Sequence, residues 1–408
     1  MKLFQKLLLA PAALGLFAPM AVNATEANLN DVSNYSQVDV SISQDTFKPL
    51  SSKNPLLAGG EGLGQDNLSN DFDVDSFSAT TTASFTSNWV IGAVKGLSTA
   101  ASRANNSNLE KLGATYDWGV ELNTSFDGLD SLDVVLEGGE GDAVLTEMDL
   151  YESGDAVNVS SIAYTRSVGD YLTFYFSDGG AASALFNTAC AYEGQTDALD
   201  DCANLMTGLD LGLGTAFAAS VDVGNGLGVA IGVESENNSA GILTEEGVDA
   251  YAAQISWVQD NYGVSLTYAN IENNDGATGA YGPALTQGDS TYRALNVFYQ
   301  PSVDGLPSIS GGIELGTDNF ENDDDEDENN HYFVGLQFDE FGNGVLGLAY
   351  GTKEPTAEEA DAETQVEAYY AYNYADGITI TPVIYLREND EVGIEDETGI
   401  VVKTTFEF

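Results

Sequence analysis

The chain has 408 residues, with 12 Lys and Arg against 65 Asp and Glu, a formal charge of -53. That balance excludes nucleic acid as a partner, because neutralising phosphates takes an excess of bases. It would draw cations toward any pore it surrounded and repel anions, or simply keep the protein solvated in salt. With one histidine and two cysteines there is no Cys/His cluster for zinc, and no motif calls for a cofactor.

Residues 1–24 open on Lys2 and Lys6, continue through apolar Leu7 to Leu9 and Ala12 to Phe17, and end on Val22-Asn23-Ala24. This is the pattern of a cleaved secretory signal peptide. Pro11 and Pro19 break the apolar part, which is too short to cross about 30 Å of hydrocarbon. No later stretch offers the roughly 20 apolar residues of a membrane helix, so an exported chain that spans a membrane must do so as a closed barrel. Residues 25–76, rich in Asn, Ser, Gly and Pro, read as an irregular periplasmic extension or partial plug.

From Phe77 onward the side chains alternate with a period of two, so residues 77–408 read as one all-β unit. Phe77, Ala79, Ala83 and Phe85 oppose Ser78, Thr80, Thr82 and Ser84; Val120, Leu122 and Phe126 oppose Glu121, Asn123 and Ser125. Gly/Asn/Asp turns such as Gly169-Asp170, Gly224-Asn225-Gly226, Asp260-Asn261 and Asp376-Gly377 alternate with long polar loops. Short turns on one rim and long loops on the other predict a transmembrane antiparallel β-barrel of about 16 strands, short turns periplasmic and long loops extracellular. A barrel that wide leaves an aqueous channel. The final stretch, Thr398 to Phe408, sets Ile400, Val402, Phe406 and Phe408 against Val401, Lys403, Thr405 and Glu407, as expected of a closing strand with one side to outer-membrane lipid and one to the lumen.

The register makes Glu121, Asp133, Glu137, Glu314, Arg387 and Lys403 candidate pore-lining residues, with Arg166 and Arg293 on faces that the alternation leaves undecided. None forms a catalytic constellation, and His331 is the one candidate base, so no enzymatic activity is expected. Cys190 and Cys202 share the longest loop of an exported chain, which predicts a disulfide. That loop either dips into the barrel or caps its mouth. The acidic run at 318–331 lacks the glycine and spacing of a calcium loop and reads as a solvated tip. Asp323, Asp324, Asp325, Glu326, Asp327 and Glu328 crowd it.

The opening MKLFQKLLLAPAALGLFAPMAVNA, the LNDVSNYS that follows and the ending GIVVKTTFEF resemble the ends of cyanobacterial outer-membrane porins, relatives of the carbohydrate-selective (OprB-like) porins that are also described as iron-uptake porins. YDWGVELNTSFDGLDSLDVVLEGG is similar more loosely. The resemblance implies a passive channel for small hydrophilic solutes and ions, carbohydrate among them, in a homotrimer. It also implies that Phe408 is the aromatic signal read by the barrel-assembly machinery. This chain departs from that pattern, because 25–76 contains neither the S-layer-homology module nor the coiled coil that tethers such barrels to the cell wall. Two other readings fit the sequence: an adhesive or structural barrel without an open pore, and a soluble acidic β-rich binding protein.

Overall fold

The computed structural model describes residues 80–96, 111–142, 144–236, 242–243, 248–273, 288–303, 305–318, 327–353, 363–388 and 396–408. The expected signal peptide (1–24) and extension (25–76) lie outside the described residues, as do Asp323 to Glu326 of the acidic run.

The described strands are β1 (Thr81–Lys95), β2 (Leu112–Thr124), β3 (Asp130–Glu140), β4 (Asn158–Val168), β5 (Leu172–Asp178), β6 (Gly214–Gly224), β7 (Leu227–Glu236) and β8 (Asp249–Gln259). They continue with β9 (Tyr262–Asn273), β10 (Gly288–Tyr299), β11 (Ser308–Asp318), β12 (Asp327–Phe338), β13 (Gly344–Lys353), β14 (Glu363–Ala375), β15 (Ile378–Arg387) and β16 (Glu397–Glu407). Every strand pairs antiparallel with its sequence neighbours, and β16 returns to β1, so the sheet is a closed barrel of 16 strands, as the alternation predicted.

Closure runs from Thr86 opposite Glu407 to Lys95 opposite Thr398. One residue further, the Phe85 N–H donates to the Phe408 carbonyl at 2.8 Å, and the Phe408 N–H donates to the Phe85 carbonyl at 3.1 Å. Their rings lie 4.9 Å apart. The last residue therefore finishes the seam that removes both edges.

Connections on one rim are short, at 125–129, 169–171, 225–226, 260–261, 300–307, 339–343 and 376–377. Asn225 (φ 57°) and Gly226 (φ 78°) both take the left-handed backbone whose twist suits a tight hairpin. The other rim carries the long connections, 141–157 and 179–213 among them. One boundary differs from the sequence reading. Asp327 to Asn330 extend β12 ahead of His331, with Asp327 opposite Asp318 and Asn330 opposite Leu315, rather than belonging to a loop tip. Alternation cannot be seen in a run where both faces are polar.

Side chains sort by face as the period demands. On β16, Ile400 is 48% exposed and points outward, whereas Val401 is 1% exposed and points inward. Trp89, Ile91, Phe176, Ile231, Leu266 and Val334 extend this outward apolar belt. Leaving such side chains in water forgoes about 1.5–3 kcal/mol each, so the belt suits an apolar surround. Aromatic pairs crowd the short-turn rim, with Trp257 and Tyr262 at 5.3 Å and Phe341 and Tyr370 at 6.0 Å.

Candidate functional site

Two of the long connections turn into the lumen, and the inward side chains of the wall explain why they stay there. The 179–213 loop has no regular strand or helix to satisfy its backbone, so its polar groups need partners from outside. Between residues 187 and 195 every second N–H is donated to the wall. Asn187 donates to Gln254 Oε1 on β8 at 2.6 Å, Ala189 to Ser265 Oγ on β9 at 2.9 Å, and Ala191 to Ser310 Oγ on β11 at 2.9 Å. Glu193 follows with Gln337 Oε1 on β12 at 2.8 Å, and Gln195 with Glu367 Oε2 on β14 at 3.1 Å.

The returning leg is held by carboxylates. Glu314 accepts the N–H groups of Met206 and Thr207 at 3.1 and 2.9 Å, and Glu234 accepts those of Leu211 and Leu213 at 3.2 and 2.7 Å. Asn296 Nδ2 donates to the Cys202 carbonyl at 2.9 Å. That carbonyl lies so close to β11 that a Cβ on Gly312 would collide with it. A disulfide between Cys190 and Cys202, with Cα atoms 6.4 Å apart, joins the two legs. Cys202, Ala203 and Leu209 adopt left-handed backbone (φ 58°, 54° and 42°), at a cost of roughly 1–2 kcal/mol each that the anchors offset. Tyr192 packs at a tilt against Phe333 and edge-on against Tyr369 and donates its hydroxyl to Glu367 at 2.8 Å. Burial, then the Glu367 charge, raises the Tyr192 pKa, so the phenol stays a donor.

The second inward loop, 141–157, carries a short 3-10 turn at Thr146–Met148. Val144, Leu145 and Met148 are buried against Val90, Val94, Val383, Tyr385 and Val401. Glu147 Oε1 accepts from both Lys353 of β13 and Arg387 of β15. Arg387 also meets Glu363 at 3.1 Å and Glu397 at 2.5 Å, and Lys353 meets Asp197 of the other loop at 2.9 Å. Removing one partner of a buried pair of this kind typically costs about 3–5 kcal/mol.

The candidate pore residues do not share one environment. Glu121 is exposed inside the barrel, and Asp133 and Glu137 are half-buried on the neighbouring β3, away from the anchors of the 179–213 loop. Asp133 accepts from Asn123 and Ser131. Lys403 faces inward and is partly buried on β16, beside Asn88, Asp117 and Thr405, of which Thr405 donates to Asn88 at 2.8 Å. Glu314 faces the lumen but does not line water, a correction to the sequence reading: it is 0% exposed, spent on loop N–H groups. Arg387 likewise points inward, but into three carboxylates. Arg166 and Arg293, undecided from sequence, both lie on the outer face. Arg166 pairs with Asp127 at 2.6 Å by the short-turn rim, and Arg293 sits over the Tyr268 ring at 5.9 Å.

The comparison with solved structures bears on this arrangement. OprB of Pseudomonas putida superposes with a TM-score of 0.57 at 10% identity, over 81% of this chain and 94% of that one. An anion-selective porin from Comamonas acidovorans gives 0.59 at 14% identity, over 81% and 99%. A loop-deletion variant of OmpT, an outer-membrane protein of Vibrio cholerae, gives 0.53 at 12%, over 81% and 100%. The fold is that of bacterial outer-membrane porins. No family model and no curated protein sequence matches the chain.

Sequence reasoning missed Glu147, Lys353, Glu234 and Glu367 as parts of the lumen. Glu234 and Glu367 were findable, since they sit at inward positions of clearly alternating strands, as Glu314 does. Glu147 lies in a polar loop with no period and left no such signal. Two acids of the long loop, Asp200 and Asp201, are in contact with water yet enclosed by the barrel. Enclosure first, and then neighbouring acids led by Asp197 for Asp200 and by Asp200 for Asp201, push them up to about 7 and about 8.

Proposed function

We propose that this chain is an outer-membrane porin, a water-filled channel through which small hydrophilic solutes and inorganic ions diffuse passively, with cations favoured. The observation that carries the reading is a closed 16-stranded barrel with an apolar outer belt, whose lumen is narrowed by inward-anchored loops. An exported barrel of this kind belongs in the outer membrane, where lipid covers the belt. Exposed Glu121 with half-buried Asp133 and Glu137 gives the open wall a negative field. The bases that could oppose it are largely spent: Lys353 and Arg387 are ion-paired, which leaves Lys403, among the described residues, as the inward base outside the salt-bridge network. A homotrimer and insertion by the barrel-assembly machinery complete the proposal.

Purified protein reconstituted in a planar bilayer should give stepwise, ohmic conductance. It should also need detergent for extraction and shift its mobility on heating, as a lipid-embedded barrel does. Membranes that stay silent at every protein concentration would remove the channel reading and leave a structural barrel.

A further inference from the structure

We infer that Glu147 sets the bore of the pore by locking the 141–157 loop inside the barrel as a second constriction beside the 179–213 loop. The inference rests on the channel reading above. Its first support is placement: the turn around Glu147 brings Val144, Leu145 and Met148 against inward side chains of β1, β15 and β16, each 3% exposed or less. An apolar contact of this kind holds a loop against a wall but does not fix how deep it sits, because it lacks direction.

Direction comes from Glu147. Its side chain is 3% exposed, and Oε1 accepts from Lys353 and Arg387, two bases on different strands. Its main-chain carbonyl accepts the Asp197 N–H of the other loop at 3.1 Å, and Asp197 itself reaches Lys353 at 2.9 Å. One residue thus ties both inward loops to each other and to β13 and β15. The remaining Oε2 is buried without a hydrogen-bond partner. A carboxylate kept there despite that cost is held by its charge pairs. Glu147 is accordingly a positioning residue: it acts on permeation through where the loop lies, and its charge is masked by Lys353 and Arg387.

The test is single-channel conductance together with the size of polyethylene glycol excluded from the pore, for wild type, Glu147→Ala, Glu147→Gln and Lys403→Met. Glu147→Ala should raise conductance, add open-channel noise and shift the cut-off to larger polymers; Glu147→Gln, which keeps the shape and loses the charge, should shift it in the same direction. Lys403→Met changes lumen charge without removing a hydrogen bond or ion pair of the 141–157 loop among the described residues, so it should move the reversal potential and leave the cut-off in place. If Glu147→Ala does not assemble, judged by heat-modifiable mobility, Glu147→Gln decides. A wild-type cut-off in the assembled Glu147 variants, with or without a change in reversal potential, would overturn the inference. A silent wild-type protein would instead be a failure of the channel reading, and is seen before any variant is compared.

Discussion

The Tyr192 hydroxyl and the Glu367 carboxylate lie 175 positions apart in the chain and 2.8 Å apart in space. The same carboxylate accepts the Gln195 N–H, so Glu367 holds the far end of the extended leg that starts at Asn187. Replacing Glu367 with Ala leaves those donors without an acceptor, at about 1–3 kcal/mol for each buried group. Such a variant should keep its heat-modifiable mobility while its channels become noisier and more conductive. Channels with wild-type conductance and noise would mean that the leg is held by something else.

The Cys190–Cys202 bond closes a loop across 12 positions and ties the outgoing leg to the returning one. Loop-closure arguments assign such a cross-link about 3 kcal/mol. The doubly substituted Cys190→Ser, Cys202→Ser protein should assemble as a barrel, since neither cysteine belongs to a strand. Its 179–213 loop should be cleaved faster by protease added to reconstituted protein, which can be followed by fragment analysis.

The barrel was legible in the sequence because strand alternation is a local property and because the turns announce themselves, as Asn225-Gly226 does. The constriction was not. Which way the 179–213 loop folds depends on pairings such as Met206 with Glu314, 108 positions apart, and no period in the loop itself reports them. The register correctly turned Glu314 inward, but inward and in contact with water are different conditions once a loop lies over the wall. Arg166 escaped assignment for a related reason: near a rim, charged side chains are tolerated on either face, whereas Arg293 lies mid-strand on the outer face over the Tyr268 ring.

Asp200 and Asp201 should give the proposed channel a pH dependence. Their carboxyls are pushed up to about 7 and about 8, so both should be neutral well below pH 7 and charged only well above pH 8. Two negative charges therefore appear on the long loop as pH rises through this window, and cation preference should increase from pH 6 to pH 9. Reversal potentials measured at these two values should differ in the wild-type protein and differ less in Asp200→Asn, Asp201→Asn. Because these acids bind protons more tightly in the folded protein, the same titration should loosen the loop as pH rises, opposite to the usual carboxylate case.

Phe408 is 85% exposed, packs its ring at a tilt against Phe85 and completes the β1–β16 seam. Phe408→Ser should lower the amount of assembled outer-membrane barrel more than it lowers synthesis, measured as the heat-modifiable fraction of total protein in a membrane preparation. Equal fractions for the variant and wild type would detach the terminal aromatic from assembly.

The reversal potential across a salt gradient tests the central claim most directly. With Glu121, Asp133 and Glu137 on the open wall and Lys353 and Arg387 held in ion pairs, the wild-type channel should prefer cations at low salt. The preference should fade as the Debye length shrinks to about 3 Å near 1 M salt. Neutralising Glu121, Asp133 and Glu137 together should reduce it more than Glu314→Gln does, since Glu314 is 0% exposed. A low-salt potential favouring anions in the wild-type protein would contradict the account and place the filter at Lys403.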